Sequence, residues 1–496
     1  MMPDLRRQVL ESGKTVSRKA ASREASRATS RASSVQNSRQ SSRNASRHAS
    51  DDEDAADLSD DTAWSIASLD DQDLADNPEQ DNSDWPEELG DRIQEILDRK
   101  RSSIQGREEA FAAFVRLAKF HYVEEEIRTY VGELVGAFCK SIKFESSVRE
   151  TTLALRALEL LTITAADSTI YENVEPVVTR AIRDSTSTVV KTAAIHCLSV
   201  CTLLGGAGED SIAEQMTFFL DIIASDGQSI DAPDNAECVT AALQEWGLMA
   251  TEIEDMEEES EEAIQIFIDQ LDSNDSAVQI AAGENIALLY EKSYTPREDD
   301  DDDEDEEEDG DGDGADSEEE EPSFVSMSGG GSVQRSNKLI KRYNPYHNTP
   351  ELQRQLQTLS TIHNKRISKR DKKTLHTNFT SILTTVENPR RGPMYNTALN
   401  HDTHRHYGSK LKVKIGRDGV MNIDRWWKWI HLNSLRRILQ GGFAEHYYQG
   451  NRAVLDSLPV MVRMTPQSHR SAARKSTKSK LNARRWAVHD HSDDEI

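Results

Sequence analysis

Residues 148–158 read VRETTLALRAL, 190–200 VKTAAIHCLSV, 238–248 CVTAALQEWGL and 278–288 VQIAAGENIAL. Aligned from Val148, Val190, Cys238 and Val278, the four share a pattern. Four places on stand Thr152, Ala194, Ala242 and Ala282, all short. Nine on stand Ala157, Ser199, Gly247 and Ala287, again small, and ten on stand Leu158, Val200, Leu248 and Leu288. The starts lie 42, 48 and 40 residues apart, the period of HEAT and armadillo units. Small residues let neighbouring helices approach, and the aliphatic residue fills the space between repeats. The pattern therefore predicts an all-α, armadillo/HEAT-like solenoid of stacked helix pairs with a long concave surface.

Outward from these repeats, helical periodicity starts at Leu89. Ala110, Phe111, Phe114, Val115, Leu117 and Ala118 form one apolar stripe, and Ile127, Val131, Leu134, Val135 and Phe138 the next. Eight or nine helices are expected before Pro296. The repeats are assigned to residues 89–297, an acidic linker to 298–336, a basic C-terminal module to 337–460 and a basic tail to 461–496. Within the module, Leu352, Leu356 and Leu359 suggest a helix, as do Leu375, Phe379, Ile382, Leu383 and Val386. Alternation from Leu411 to Ile415 reads as a short strand. A helix from about Asp424 to Gln440 is expected, capped by Asn422 or Asp424 and ended by Gly441. A shorter helix is placed between Ala444 and Leu458.

The net charge is −29, from 59 Lys+Arg against 88 Asp+Glu. By segment it is +8 for residues 1–50, −37 for 51–297, −19 for 298–321 and +19 for 322–496. An acidic middle between basic ends is the pattern of an interaction protein. Only 36% of residues are hydrophobic, so much of the chain, including residues 1–88 and both termini, is expected to be disordered. Residues 1–50 repeat Ser-Arg pairs. Arg stands three places before Ser26, Ser30, Ser34, Ser42, Ser46 and Ser50, a spacing suited to basophilic kinases. The tract reads either as a solubilising tail or as a contact tuned by phosphorylation. Trp64, Ile66 and Leu69 among acids read either as a short docking motif or as isolated apolar residues. No apolar run reaches about 18 residues, so no membrane span is expected. Cys139, Cys197, Cys201 and Cys238 lie in apolar helical patterns without zinc-like spacing. They point to a reduced compartment, the cytoplasm first and the nucleus second.

Catalytic motifs are lacking. Gly205-Gly206-Ala207-Gly208 has no following Lys and suits a helix end rather than a P-loop. Cys197 and Cys201 share a helix face and read as core. Asp309, Asp311, Asp313, Gly314 and Glu320 fit the EF-hand expression, but Asp316 replaces the apolar anchor and no amphipathic helices flank the loop. His401, His404 and His406 read as a basic polar loop. No enzyme activity, cofactor, metal or small-molecule substrate is expected.

The strongest local signal runs from Lys410 to Gly442. Lys410, Lys412 and Lys414 precede Arg425, Trp426, Trp427, Lys428 and Trp429, with Arg436 and Arg437 beyond. Trp427 lies with the apolar stripe. Three Trp within four positions cannot share one face, so at least one is exposed or meets another domain. Trp426 and Trp429 are candidates for stacking on RNA. Phosphate contacts are assigned to Lys365, Arg366, Lys369, Arg370, Lys372, Lys373, Lys410, Lys412, Lys414, Arg425, Lys428, Arg436 and Arg437. The tail adds Arg463, Arg474, Lys475, Lys478, Lys480, Arg484 and Arg485.

The run Val420-Met421-Asn422-Ile423-Asp424-Arg425-Trp426-Trp427-Lys428-Trp429-Ile430, with Leu435-Arg436-Arg437-Ile438-Leu439-Gln440-Gly441-Gly442-Phe443, resembles the C-terminal motif of the interferon-related developmental regulator family. Ser368-Lys369-Arg370-Asp371-Lys372-Lys373, followed by Phe379, is similar to a second family segment. The resemblance covers about residues 90–460 and implies an armadillo-like domain without enzyme activity. It implies binding to translationally inactive ribosomes, with a C-terminal helix in the mRNA path and the body over tRNA positions. It also implies an alternative, transcriptional co-regulation in the nucleus through deacetylase-containing complexes. The expected partners are thus rRNA and ribosomal proteins, met by the basic segments and the concave surface, or else transcriptional regulatory complexes. No membrane partner is expected.

Overall fold

The structure is a computed structural model. It describes residues 84–99, 102–165, 167–296, 339–361, 369–399, 406–409, 411–415, 419–458 and 462–463, all within the unit Leu69–Ile496. The Ser/Arg tract, the residues around Trp64, the acidic run with its EF-hand match, His401, His404 and the tail beyond Arg463 lie outside them.

Eleven helices precede Pro296 among the described residues, against the eight or nine expected. They are α1 (Trp85–Leu97), α2 (Ile104–Phe120), the single turn α3 (Glu124–Ile127), α4 (Val131–Phe144), α5 (Val148–Ala165), α6 (Ile170–Asp184), α7 (Thr188–Leu204), α8 (Glu209–Ala224), α9 (Ala236–Glu252), α10 (Glu257–Gln270) and α11 (Ser276–Lys292). Two more, α12 (Thr349–Thr361) and α13 (Lys369–Glu387), follow the acidic segment. The pairs α1/α2, α4/α5, α6/α7, α8/α9, α10/α11 and α12/α13 stack as a solenoid. Helices α2, α5, α7, α9, α11 and α13 pack side by side in one row.

The solenoid therefore extends past the acidic segment, and the boundary expected at residue 297 moves. A short strand β1 (Tyr294–Pro296) pairs antiparallel with β2 (Leu339–Lys341), Tyr294 opposite Lys341. This clamp closes the acidic segment off as an insertion between the fifth and sixth pairs, not as a linker between domains. Gly283 lets α13 settle on α11: a Cβ there would stand 2.6 Å from Ile382 Cδ1.

Five row helices start alike. Ser103, Ser147, Ser187, Asn235 and Asp275 each accept, through a side-chain oxygen, the amide three residues on, which satisfies one of the free first-turn donors. These caps correct the register of the first repeat. Glu150, not Val148, corresponds to Val190, Cys238 and Val278. Glu150 is fully buried between Arg107 (2.7 Å) and Arg99 (3.3 Å), while Val148 is 45% exposed. In this register the fourth position is small throughout, with Ala154, Ala194, Ala242 and Ala282 all buried, whereas at the ninth the first repeat carries Glu159 in place of Ser199, Gly247 and Ala287. At Gly247 a Cβ would lie 2.2 Å from Asn285 Oδ1, whose amide donates to Leu243 O at 2.8 Å.

After α13 come two small sheets. Strand β3 (Tyr395–Leu399) pairs with β4 (His406–Ser409), and β6 (Gly419–Asn422) lies between β5 (Lys412–Ile415) and β7 (Val462–Arg463) and pairs with both. The strand expected near 411–415 is present, and its partner β6 leads into α14 (Trp426–Leu439). Two short helices, α15 (Phe443–Gln449) and α16 (Arg452–Ser457), complete the module.

Candidate functional site

Helix α14 carries the tryptophan run, and it has no cap of its own. Neither Asn422 nor Asp424 caps it; its N-cap residue Arg425 contributes no side-chain bond. Glu291, near the end of α11, supplies the cap from 135 residues away. Its carboxylate accepts from Trp426 N at 2.8 Å and Trp427 N at 3.3 Å. Burial pushes Glu291 up to about 7, against the pull of those two amides and Arg425. Two turns back on the same helix, Glu284 accepts from the Trp429 indole N–H at 2.9 Å, and burial likewise raises it to about 7. The Trp426 indole N–H donates to Thr385 of α13 at 2.7 Å. Trp427 meets His431 edge-on, 5.7 Å between ring centres.

Further along, His431 lies 2.7 Å from Thr251 Oγ1, and burial draws it down to about 4, so it is neutral. Arg437 enters the row between two carboxylates, 2.5 Å from Glu245 and 3.9 Å from Glu159. Burial would raise Glu245, but Arg437 and His196 (2.6 Å) outweigh it and hold the group below its ordinary range. Arg156, paired with Glu159 at 2.6 Å, donates to Arg437 O and Ile438 O at 2.6 and 2.5 Å. It thereby satisfies carbonyls that the last turn of α14 leaves open. Lys119 then reaches Gln440 Oε1 at 2.9 Å, and His446 donates to Ala118 O at 3.0 Å. Gly442 sits against the α2 backbone, where a Cβ would be 1.7 Å from Lys119 O.

The module thus runs along the row and touches α2, α5, α9, α11 and α13. Trp426, Ile430, Leu432, Leu435, Ile438 and Leu439 are buried by it, a gross gain on the order of 10 kcal/mol at about 1.5–3 kcal/mol per side chain. The polar members decide orientation and register. The apolar members supply the adhesion.

This placement corrects several expectations. Trp426 is 2% exposed and cannot stack on RNA. Trp429 is committed to Glu284 and Arg437 to Glu245, while Lys428 pairs with Asp424 at 2.5 Å. The tryptophans meet another part of the chain, which was the second of the two alternatives. Part of the helix row is occupied by the chain's own helix α14. Arg425, Arg436 and Lys372 are half-buried, and Lys373 is exposed at the start of α13. Lys369, Arg370, Lys412, Lys414 and Arg463 lie in regular elements, but their side chains are outside the description. Lys365, Arg366, Lys410, Arg474, Lys475, Lys478, Lys480, Arg484 and Arg485, and the serines from Ser26 to Ser50, lie outside the described residues. Among the described residues no His/Cys/Asp/Glu group could hold a metal, and no helix is long and apolar enough to cross a membrane.

Arg156, Glu159, His196, Glu245, Glu284 and Glu291 are not among the site residues expected from the sequence. Their signal was available: charged residues set within apolar stripes of the row helices.

Comparison with known proteins agrees with this architecture. The family model for interferon-related developmental regulators matches residues 41–387. Its last matched residue, Glu387, is the last residue of α13, so the match takes in all six helix pairs and the insertion but stops before α14. An uncharacterized protein of Schizosaccharomyces pombe is 24% identical over 365 residues, 73% of this chain and 72% of its own length.

Proposed function

Since the chain belongs to the interferon-related developmental regulator family, we propose that it is a non-enzymatic translational repressor that binds inactive ribosomes and occludes their tRNA and mRNA sites. One observation carries the reading: the basic module is anchored to an otherwise acidic body, and its anchoring helix is itself used up in packing. RNA contact then falls to the cations outside that helix: Lys372 and Lys373, and the segments 365–371, 410–418 and 463–485. The last of these continues from β7, which is held beside β6 in the anchored sheet. A cationic segment joined to an anchored strand suits contact with an mRNA path beside a bound body. The body then acts by volume, which requires rigidity and no chemistry.

The co-regulator reading gives the solenoid to protein partners and the basic tail to nuclear import; α14 already occupies part of the helix row, so such partners would dock on other faces of the solenoid.

The test is sedimentation of full-length protein with purified inactive ribosomes across a salt series, beside a chain ending at residue 463. Full-length protein should co-sediment at low salt and release steeply with salt, as phosphate contacts require, and the shortened chain should release earlier. Absence of co-sedimentation at low salt would refute ribosome binding. Salt-insensitive binding would refute the role given to the cations.

A further inference from the structure

The first turns of the row helices meet along one edge of the solenoid. Arg107 of α2 pairs with Glu150 of α5 there at 2.7 Å. Ser185, just before α7, donates to Glu145, just before α5, at 2.6 Å. Thr192 of α7 lies 3.4 Å from Cys238 of α9. Along the first three of these turns, apolar side chains face solvent: Ile104 is 44%, Val148 45% and Val189 53% exposed. Phe144, the last residue of α4, is 68% exposed beside them. A single exposed aliphatic residue needs no explanation, but four along one edge form a patch.

Next to Phe144 a cleft of about 310 Å³ opens between α4 and α6. Ile142, Pro176, Val177 and Ala181 give it apolar walls, with Lys143 and Arg180 among its lining. It has room for a large side chain from a partner. The charge at this place is inverted relative to the body. Lys140, Lys143, Arg149 and Arg183 are exposed. The nearby acids are engaged, Asp184 by Arg180 at 3.1 Å and Glu145 by Ser185. Residues 51–297 as a whole carry −37. The N-termini of α5 and α7 add positive potential at the same edge.

We propose that this edge is a docking surface for an acidic protein segment bearing large apolar side chains. An apolar anchor enters the α4/α6 cleft beside Phe144, and flanking carboxylates face Lys143 and Arg149. Its apolar walls suit a peptide's apolar side chain better than a phosphate backbone. The surface uses none of the residues given to rRNA, so the inference stands independently of ribosome binding.

Fluorescence anisotropy on the full chain tests it. The probe is a short labelled peptide of Asp and Glu carrying one Trp and two Leu. Binding should saturate and weaken with salt. It should fall roughly tenfold or more when the peptide's Trp and Leu become Ser, or when the protein carries Phe144→Ser with Lys143→Glu. These positions are exposed, so the melting temperature should hold; Val189→Ser is a second variant on the same edge should it not. No saturable binding, binding untouched by both variants, or binding that survives removal of the peptide's apolar residues would overturn the proposal. Loss of a labelled single-stranded RNA from the same variants, or dissociation of a dimer in sedimentation, with the peptide unaffected, would assign the edge to RNA or to a second copy and equally overturn it.

Discussion

Among the described residues Glu291 is the sole N-terminal cap of α14, and its burial makes that cap sensitive to pH. In the unfolded chain the carboxyl ionises near 4.5; in the fold it does so near 7. Between those values the folded state holds the extra proton, so the contribution of this group to stability falls as pH rises through the window. A rise from 4.5 to about 7 corresponds to about 3 kcal/mol. Glu291→Gln keeps an oxygen for the Trp426 and Trp427 amides but removes the charge. At pH 5 the variant should lose no more than about 1 kcal/mol, the scale of a weakened cap. At pH 8 it should exceed the native chain by about 2 kcal/mol, since the buried charge is gone. Glu284 and His431 titrate in both proteins and cancel in the difference. Repeat proteins unfold in parts, so the readout should be local: hydrogen exchange of the Trp426–Leu439 amides at several pH values, corrected for intrinsic rates. Parallel protection curves for the two proteins from pH 5 to 8 would refute the assignment of a buried, proton-linked cap.

Two further outcomes follow from the same interface. Arg437→Met leaves Glu245 buried without its guanidinium partner, while Glu159 keeps Arg156, and should cost about 3–5 kcal/mol by urea denaturation, whereas a surface ion pair would cost under about 1. Gly442→Ala places a methyl 1.7 Å from Lys119 O, so the module should lift from α2; limited proteolysis near residues 440–446 should accelerate while the fourth and fifth helix pairs stay protected.

The solenoid was legible because its period is written in small residues, and Ala194, Ala242 and Ala282 do occupy the crossings. The first repeat was misregistered because Val148 looks like a core residue and Glu150 does not. Only the cap at Ser147, matching Ser187, Asn235 and Asp275, fixes the register, and the caps were the better ruler. The sixth pair was hidden by the acidic insertion, which interrupts the sequence but not the stack, because β1 and β2 bring its ends together. The tryptophan run was read outward, towards RNA, because cations beside aromatics suit phosphates and bases. A second sign pointed inward. Its helix has no capping residue of its own, while the row helices carry carboxylates at Glu245, Glu284 and Glu291 in otherwise apolar stripes. A helix lacking a cap and a row with unmatched acids are complementary halves, but their pairing lies 135 residues apart and is set by packing.

That pairing bears on how an occluding protein works. A bare solenoid is held only by contacts between neighbouring repeats, so it frays from its ends and flexes along its length. Here α14–α16 tie α2 of the first pair to α11 and α13 of the last two, through Gln440, His446, Arg437, Glu291 and Thr385. Such long-range ties make early repeats depend on late ones. The native chain should therefore unfold in urea with the first and last pairs melting together by hydrogen exchange. Trp426→Ala combined with Gln440→Ala and His446→Ala loosens the tie at both ends of the module, and the end pairs should then open at lower urea than the centre, in separate steps. If the native chain already unfolds pair by pair, the module is a passenger on the solenoid rather than its brace, and the rigidity that occlusion demands must come from elsewhere.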